Sequence, residues 1–210
     1  MMFEHDVLVI GAGLAGMRAA MAASENGVDV AVVSKVHPIR SHSVAAQGGI
    51  NAALTDRGDR WEDHAFDTIK GSDYLADQDA VEVMAKEAGG EIINMEHMGV
   101  IFNRDETGKL GTRAFGGQRQ ARTFFVSDFT GQALLHVLYE QILKSGVRMY
   151  EEWFVLSLIT ADGVCNGAVV MEMRTGSIHV LKAKAVIMAT GGIGRVFEPS
   201  TNALICTGDG

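Results

Sequence analysis

Proline and cysteine are nearly missing from this sequence, with two of each in 210 residues. Beside 25 glycines, so little proline does not suit a linker-rich chain; the balance suits a backbone that closely approaches a large ligand. Cys165 and Cys206 lie far apart and form no CxxC, so neither a disulfide framework nor a zinc site is suggested. Both are expected to be buried thiols, and no metal site is expected. Long hydrophobic runs are missing too. None approaches the ~18 residues that span a bilayer, and the acidic start MMFEHD lacks the basic character of a signal peptide. Cytoplasm is the expectation. Basic residues are in deficit, 18 against 26 acidic for a net charge of -8, which opposes the phosphate neutralisation that nucleic-acid binding needs. Nucleic acid is not an expected partner. Repeats, low-complexity tracts and charge blocks are also absent. What remains, 47% hydrophobic and 21% charged residues, is the composition of a globular core.

The chain opens with a short apolar run, DVLVI at 6–10, of the kind expected of a buried parallel strand. GAGLAG follows at once, then an Ala-rich helical pattern over 14–26 that Gly27 should stop, then a second buried strand, VDVAVVS, at 28–34. This is a βαβ unit of about 30 residues, the setting in which GxGxxG acquires meaning. Further helices are predicted over 61–75, over 78–98 with a capping box from Asp79 to Glu82 and a stop at Gly99, and over 128–145 with Leu134, Leu135, Leu138 and Ile142 on one face. Asp162-Gly163 between WFVLSLITA and NGAVVMEM is a hairpin signal. A turn at Thr175-Gly176 leads to SIHVLKA, and a last strand, AVIMA, runs into TGGIG. Because TNALICTGDG ends on a turn that should lead into another element, the chain reads as the front part of something longer.

The chemistry begins at Gly11, Gly13 and Gly16. The first glycine allows the tight turn, the second lets a pyrophosphate approach the backbone, and the third lets helix and strand pack. A phosphate then rests on the helix N-terminus, where free N–H groups and the dipole favour an anion. At the end of the second strand, where an acid usually binds the ribose hydroxyls, stand Ser34 and Lys35. That departs from the NAD pattern. It leaves an NADP-dependent oxidoreductase open, with Ser-Lys cradling the extra phosphate. Helical His64, His97 and His136, singly spaced, are expected to pack or cap and are given no catalytic role.

Arg40-Ser41-His42-Ser43, followed by Ala45-Ala46-Gln47-Gly48-Gly49, resembles the covalent flavin-attachment segment of the succinate dehydrogenase and fumarate reductase flavoprotein subunits. In order along the chain, HAFDTIKGSDYLADQDAVE, FGGQRQARTFFVSDFTGQALLHVLYEQ, EWFVL, ATGGIGR and TNALICTGDG are similar to that family as well, so the resemblance covers essentially all 210 residues. It implies FAD linked through the 8α-methyl group to His42, a role that suits an imidazole nucleophile near neutral pH. It implies cofactor contacts from the turn Gly11-Ala12-Gly13-Leu14-Ala15-Gly16, from Ser34 and Lys35, from Ser41 and Ser43, and from Gln47, Gly48 and Gly49. Phe154 and Val155 match a segment near the adenine. Ala189, Thr190 and Gly191 are assigned to the cofactor, and Asp209 matches an FAD-contacting aspartate. Gln47, Gly48 and Phe115 match positions bordering the dicarboxylate. This family binds ribose without the usual acid, so Ser34-Lys35 conforms to it. L-Aspartate oxidase shares the scaffold but has no histidine at the place of His42.

The resemblance therefore implies an α/β fold: a Rossmann-like FAD-binding domain over 1–210, with a parallel sheet and an inserted antiparallel β-hairpin or meander. The capping domain is absent from this chain. So are the proton-transferring arginine and the carboxylate clamps, expected beyond Gly210; no catalytic residue is assigned within the chain. The implied activity is hydride transfer between succinate and fumarate and the flavin. Electrons would pass to an iron-sulfur subunit and on to quinone through membrane anchor subunits, with this protein peripheral on the inner face of the cytoplasmic membrane. Succinate oxidation is the favoured direction. Fumarate reduction, or a flavin-binding module without turnover, is the alternative.

Overall fold

The computed structural model describes residues 1–210 throughout. In chain order its elements are β1 (Met2–Ile10), α1 (Leu14–Glu25), β2 (Val30–Ser34), β3 (Ile50–Asn51), α2 (Trp61–Gly71), α3 (Gln78–Met98), β4 (Thr112–Arg113), β5 (Thr123–Phe124), α4 (Thr130–Ser145), β6 (Arg148–Glu151), β7 (Trp153–Ala161), β8 (Val164–Glu172) and β9 (Ser177–Met188). They form two compact units, one of Met1–Ala45 with Leu138–Gly210 and one of Ala46–Val137. No helix is long and apolar enough to cross a membrane.

The first unit is built on a six-stranded sheet in the order β6-β2-β1-β9-β8-β7. Strands β6, β2, β1 and β9 are parallel, while β9, β8 and β7 form an antiparallel meander. The register aligns the carboxyl ends: Ile10 pairs with Val33 and Met188, and Ser34 with Glu151. The turns that leave these strands therefore emerge at one edge. That β2 reads VAVVS follows from its burial along its whole length. One face of the sheet gathers Leu8, Ile10, Ala31, Val33, Tyr150, Ala168, Val170 and Leu181 into a core. Helix α1, which packs against β1 and β2, buries Gly16, Met17, Ala20 and Met21, positions three and four apart that share one helix face. Full burial of each large apolar side chain contributes about 1.5–3 kcal/mol.

The second unit holds the α2–α3 pair, whose core of Ala65, Val81 and Ala85 is flanked by Trp61, Ile69 and Ala76. It also holds a small antiparallel sheet in the order β3-β5-β4. At its centre Arg122, 1% exposed, donates from Nε and Nη2 to Asp59 at 2.7 and 3.0 Å and from Nη1 to Asp67 at 2.7 Å. Arg119 adds its backbone N–H and Nε to Asp67 and Nη2 to Asp63. A buried guanidinium survives only with such complete pairing.

Several sequence expectations shift. Strand β1 begins at Met2 instead of residue 6, because β9 offers it partners as far as Val180. SIHVLKA and AVIMA are one strand, β9, paired on both sides. Strand β2 starts at Val30, since Asp29 serves the preceding turn, its N–H donating to the Asp6 carboxylate and its carbonyl accepting from Asp6 and Val7. Helix α2 stops at Gly71, before Asp73 and Tyr74 adopt φ of 53° and 61°. Helix α3 is capped by Asp77, which accepts from Ala80 N–H at 3.2 Å; Glu82 instead pairs with Lys86 one turn on. Helix α4 starts at Thr130 instead of residue 128, and its Leu134, Leu135, Leu138 and Ile142 are buried as expected. The Asp162-Gly163 hairpin forms with φ of 51° and 77°, the left-handed pair of a type I′ turn. Cys206 is buried, but Cys165, near the hairpin tip, is only half-buried.

Candidate functional site

The site grows from the turn between β1 and α1. Gly11 has φ +106°, and a Cβ there would lie 2.2 Å from the Ala189 carbonyl oxygen; one on Gly16 would lie 1.9 Å from the Gly11 carbonyl oxygen. Helix and turn are thus pressed together, and the end of β9 closes the other side. Gly13 differs. Its nearest neighbour is Ser43 Oγ at 3.3 Å, so its missing side chain opens space outside the fold. Gly13 is also the N-cap of α1, with no side-chain cap and no acid in the first turn. The positive end of the helix dipole meets that space, with Ser43 Oγ already taking the Leu14 N–H, a cradle suited to a pyrophosphate. The residues fit a dinucleotide group on this ground.

Around this turn the serines of RSHS act as ties. Ser41 Oγ donates to the Ala12 carbonyl at 3.0 Å, and Leu14 N–H donates to Ser43 Oγ at 3.4 Å. His42 stands between them at the start of a short 3-10 turn, His42–Ala45. Its ring is held from the other end of the sequence: Ala203 N–H donates to Nδ1 at 3.3 Å, and the Asn202 side-chain amide lies 3.0 Å from Nε2. Neither Asn202 nor Ala203 was singled out in the sequence, where TNA shows no periodic signal.

Lys35 leaves the end of β2 and donates from Nζ to Thr207 Oγ1 at 2.5 Å and to the Asp209 carboxylate. Thr207 Oγ1 also donates to Asp209 at 2.7 Å. The Lys35 hydrogen bond, then that of Thr207, holds the Asp209 carboxyl below the ordinary carboxylate range. The last residues lie against the turn after β9: a Cβ on Gly210 would meet Thr190 Oγ1 at 2.1 Å. So Gly11–Gly16, Ser34-Lys35, Ser41–Ser43, Ala189–Gly191 and Asp209 gather at the carboxyl edge of the sheet. Phe154 and Val155 lie early in β7, paired with Met171 and Val170, and Val155 packs on the core.

Glu151, at the end of β6 and in register with Ser34, was also missed. It accepts from Tyr139 OH at 2.8 Å and lies 3.6 Å from His37 Nε2. Burial, reinforced by Glu151, pushes the Tyr139 phenol up to about 12.

In the second unit Gln47, Gly48 and Phe115 do assemble. A Cβ on Gly48 would come within 2.8 Å of the Phe115 ring, which is 52% exposed. Arg113 fixes the pair, donating from Nε to Gly48 O at 2.9 Å and from Nη2 to Gln47 O at 2.8 Å, with its guanidinium 4.4 Å from the Phe125 ring centroid. The only sequence signal for Arg113 is its place two residues before Phe115. Gly49, at φ +121°, brings its backbone against Phe124 O. Of the helical histidines, His64 is buried and packed, and burial, then Arg122, lowers its pKa. His97 and His136 are exposed, so packing holds for His64 alone.

Residues 6–210 match the model of a family described as FAD binding domain. The chain is 48% identical to a succinate dehydrogenase flavoprotein subunit of Rickettsia bellii, over 99% of this chain and 36% of the relative. It is 48% identical to a fumarate reductase flavoprotein subunit of Mycobacterium tuberculosis, with the same coverage. Among solved structures, E. coli quinol fumarate reductase FrdA superposes with a TM-score of 0.94 at 40% identity, covering 100% of this chain and 36% of that one. The Mycobacterium smegmatis Sdh1 complex gives 0.92 at 36% identity, covering 100% and 38%. The chain thus spans about a third of the length of the relatives it matches.

Proposed function

The chain belongs to the FAD binding domain family, and from that premise we propose that it is the N-terminal, flavin-binding portion of a succinate dehydrogenase or fumarate reductase flavoprotein subunit. The observation that carries this reading is the lacing of His42 to the pyrophosphate turn by Ser41 and Ser43. A histidine so tied beside a dinucleotide cradle serves covalent attachment better than surface solvation. FAD, when bound, supplies the acceptor and donor for a hydride.

The chain's own residues bind and orient it. Gly11, Ala12, Gly13, Leu14, Ala15 and Gly16 form the turn that receives the pyrophosphate, with Gly11 N–H held by the Val33 carbonyl and Leu14 N–H by Ser43 Oγ. Ser34, Lys35 and Asp209 meet the ribose and ribityl hydroxyls, Phe154 and Val155 flank the adenine, and Ala189, Thr190 and Gly191 approach the flavin with their backbone. His42 carries the covalent link. Gln47, Gly48 and Gly49 lie along the flavin, and Gln47, Gly48 and Phe115 border a dicarboxylate. Proton transfer and the carboxylate clamps are assigned to parts of the complete subunit outside this chain.

Succinate oxidation is the favoured direction, with fumarate reduction the alternative, since relatives of both names match equally well. Electrons then pass to an iron-sulfur subunit and on to quinone through membrane anchors, with this subunit peripheral on the inner face of the cytoplasmic membrane. One observation disfavours NADP: the Lys35 ammonium that its extra phosphate needs is committed to Asp209 and Thr207. The test is denaturation of the complete subunit in acid or detergent. Flavin fluorescence should remain on the polypeptide, and the added mass should map to the His42 peptide. Release of all flavin would sink the covalent assignment, and absence of succinate-dependent dye reduction by the assembled subunit would sink the activity.

A further inference from the structure

Three carbonyls in a row, those of Ala46, Gln47 and Gly48, are each taken by a donor of the second unit. Gly131 N–H donates to Ala46 O at 2.7 Å. Arg113 serves the next two: Nη2 reaches both Gln47 O and Gly48 O, and Nε reaches Gly48 O at 2.9 Å. A single guanidinium nitrogen can bridge two successive carbonyls only if both turn to the same side, and in a trans peptide the N–H points opposite to its carbonyl. The N–H groups of Gly48 and Gly49, which belong to these two peptides, therefore turn together away from Arg113. Neither donates to a carbonyl of the chain, although both residues are half-buried and a backbone N–H removed from water needs an acceptor. Adjacent N–H groups aligned in this way make a concavity that takes an anion. The clamp is itself held in place, with the Arg113 guanidinium 4.4 Å from the Phe125 ring centroid and its backbone paired with Thr123 in the small sheet.

Resting on the reading above, in which Gln47, Gly48 and Phe115 border a dicarboxylate, we infer that Arg113 is a positioning residue for that ligand: by clamping the Gln47 and Gly48 carbonyls it holds the Gly48 and Gly49 N–H groups as a donor pair for one carboxylate. Arg113 acts without touching the substrate. Its charge is passed on through the two peptides, because hydrogen bonds in a chain polarise one another and a carbonyl bound to a cation leaves its own N–H a stronger donor. Hydrogen bonds to an ionised acceptor are about twice as strong as those between neutral groups. Of the two groups which that reading sets beside the segment, flavin and dicarboxylate, the carboxylate therefore gains more from the pair. Shape matters as much as charge. A guanidinium is a rigid fork that fixes two carbonyls in one relation, whereas an ammonium is a point charge on a flexible stem.

The experiment uses the complete subunit, expressed with FAD, as wild type, Arg113→Gln and Arg113→Lys. Malonate, a dicarboxylate with no CH–CH bond to oxidise, is titrated against the flavin absorbance, and KM and kcat for succinate are read per mole of bound flavin. Arg113→Gln should bind malonate at least tenfold more weakly and raise KM by a similar factor, with kcat at saturation changed less than threefold, as befits lost ground-state binding. Arg113→Lys should fall between it and wild type. Unchanged malonate affinity in Arg113→Gln overturns the inference, even where the melting temperature falls, and leaves Arg113 a strut of the small sheet. A loss confined to kcat also overturns it, since the donor pair would then serve the flavin. Should Arg113→Gln hold no FAD, Arg113→Lys decides: malonate weakened threefold or more supports the role, and unchanged affinity or loss of FAD from both variants overturns it. A wild type that neither binds malonate nor oxidises succinate removes the dicarboxylate reading itself, an outcome distinct from wild type and variants binding malonate equally.

Discussion

His42 sits among contacts that do not depend on it. Gly11, Gly13 and Gly16 shape the turn, and Lys35 and Asp209 hold each other, so His42→Ser should still bind FAD noncovalently. Replacing an 8α C–H by an electron-withdrawing imidazole nitrogen raises the flavin potential, and about 30 mV in a two-electron couple is a tenfold change in equilibrium. Succinate is a weak reductant and needs a high-potential acceptor. His42→Ser in the assembled subunit should therefore lose most succinate oxidation while retaining fumarate reduction with an artificial donor, both measured per mole of bound flavin. Equal loss in both directions would argue for placement over potential. Gly16→Ala should do the opposite and lose the cofactor altogether, because its Cβ would meet backbone and not a yielding side chain. Overpacking of this kind costs about 1–3 kcal/mol, and an unchanged melting temperature with full FAD occupancy would refute the close approach. The glycine turn was readable because its spacing is local, and RSHS because the motif resembles a known one. Asn202, Ala203, Arg113 and Glu151 were not readable: each matters through a partner that the fold alone brings near.

At the scale of elements, local chemistry told more about interiors than about ends. The buried runs in β1 and β2, the apolar face of α4 and the Asp162-Gly163 turn follow from periodicity and turn preference. The start of β1, the continuity of β9 and the cap of α3 depend on pairing or on one side-chain bond. Asp77→Ala should remove that cap and cost about 1 kcal/mol, seen as a lower denaturant midpoint with an unchanged slope. The small sheet of the second unit rests on a different device. Burial alone would raise the Asp67 carboxyl, but the Arg119 N–H and the two guanidinium groups outweigh it and hold its pKa below the ordinary value. A depressed folded pKa contributes stability that is complete above the unfolded value, about 3.9, and is lost as pH falls through the folded one. Stability should accordingly fall below about pH 4, and Asp67→Asn should flatten that decline. The same change leaves Arg122 short of a buried partner, a loss of about 3–5 kcal/mol. Equal acid sensitivity in wild type and Asp67→Asn, measured by thermal melts from pH 3 to 6, would contradict this account.

Over the whole molecule, the cofactor edge is assembled from the first residues and the last. FAD at a hundredfold excess over its Kd should stabilise the protein by about 2.7 kcal/mol, and saturating NADP should not raise the melting temperature; a clear rise with NADP would revive the nicotinamide reading. The 210-residue chain by itself should not reduce a dye with succinate, and steady turnover would mean that catalytic groups have been overlooked within it. Exposed Ile193, Val196, Phe197 and Leu204 crowd one stretch near the end, so poor solubility of the isolated chain is also expected. The double pairing of β9 has a consequence for how the protein is made. Strand β1 pairs with it from Met2 opposite Val180 to Ile10 opposite Met188, a separation that makes the central ladder a late event in folding. At roughly 5–20 residues per second, the ribosome delivers the glycine turn on the order of ten seconds or more before it delivers the Ala189 wall. During that interval the emerging βαβ unit has only half a cradle, and His42 has neither Asn202 nor Ala203. A nascent chain that stops short of Ala189 is therefore expected to hold no flavin, and one that includes β9 and the turn after it is the first able to do so.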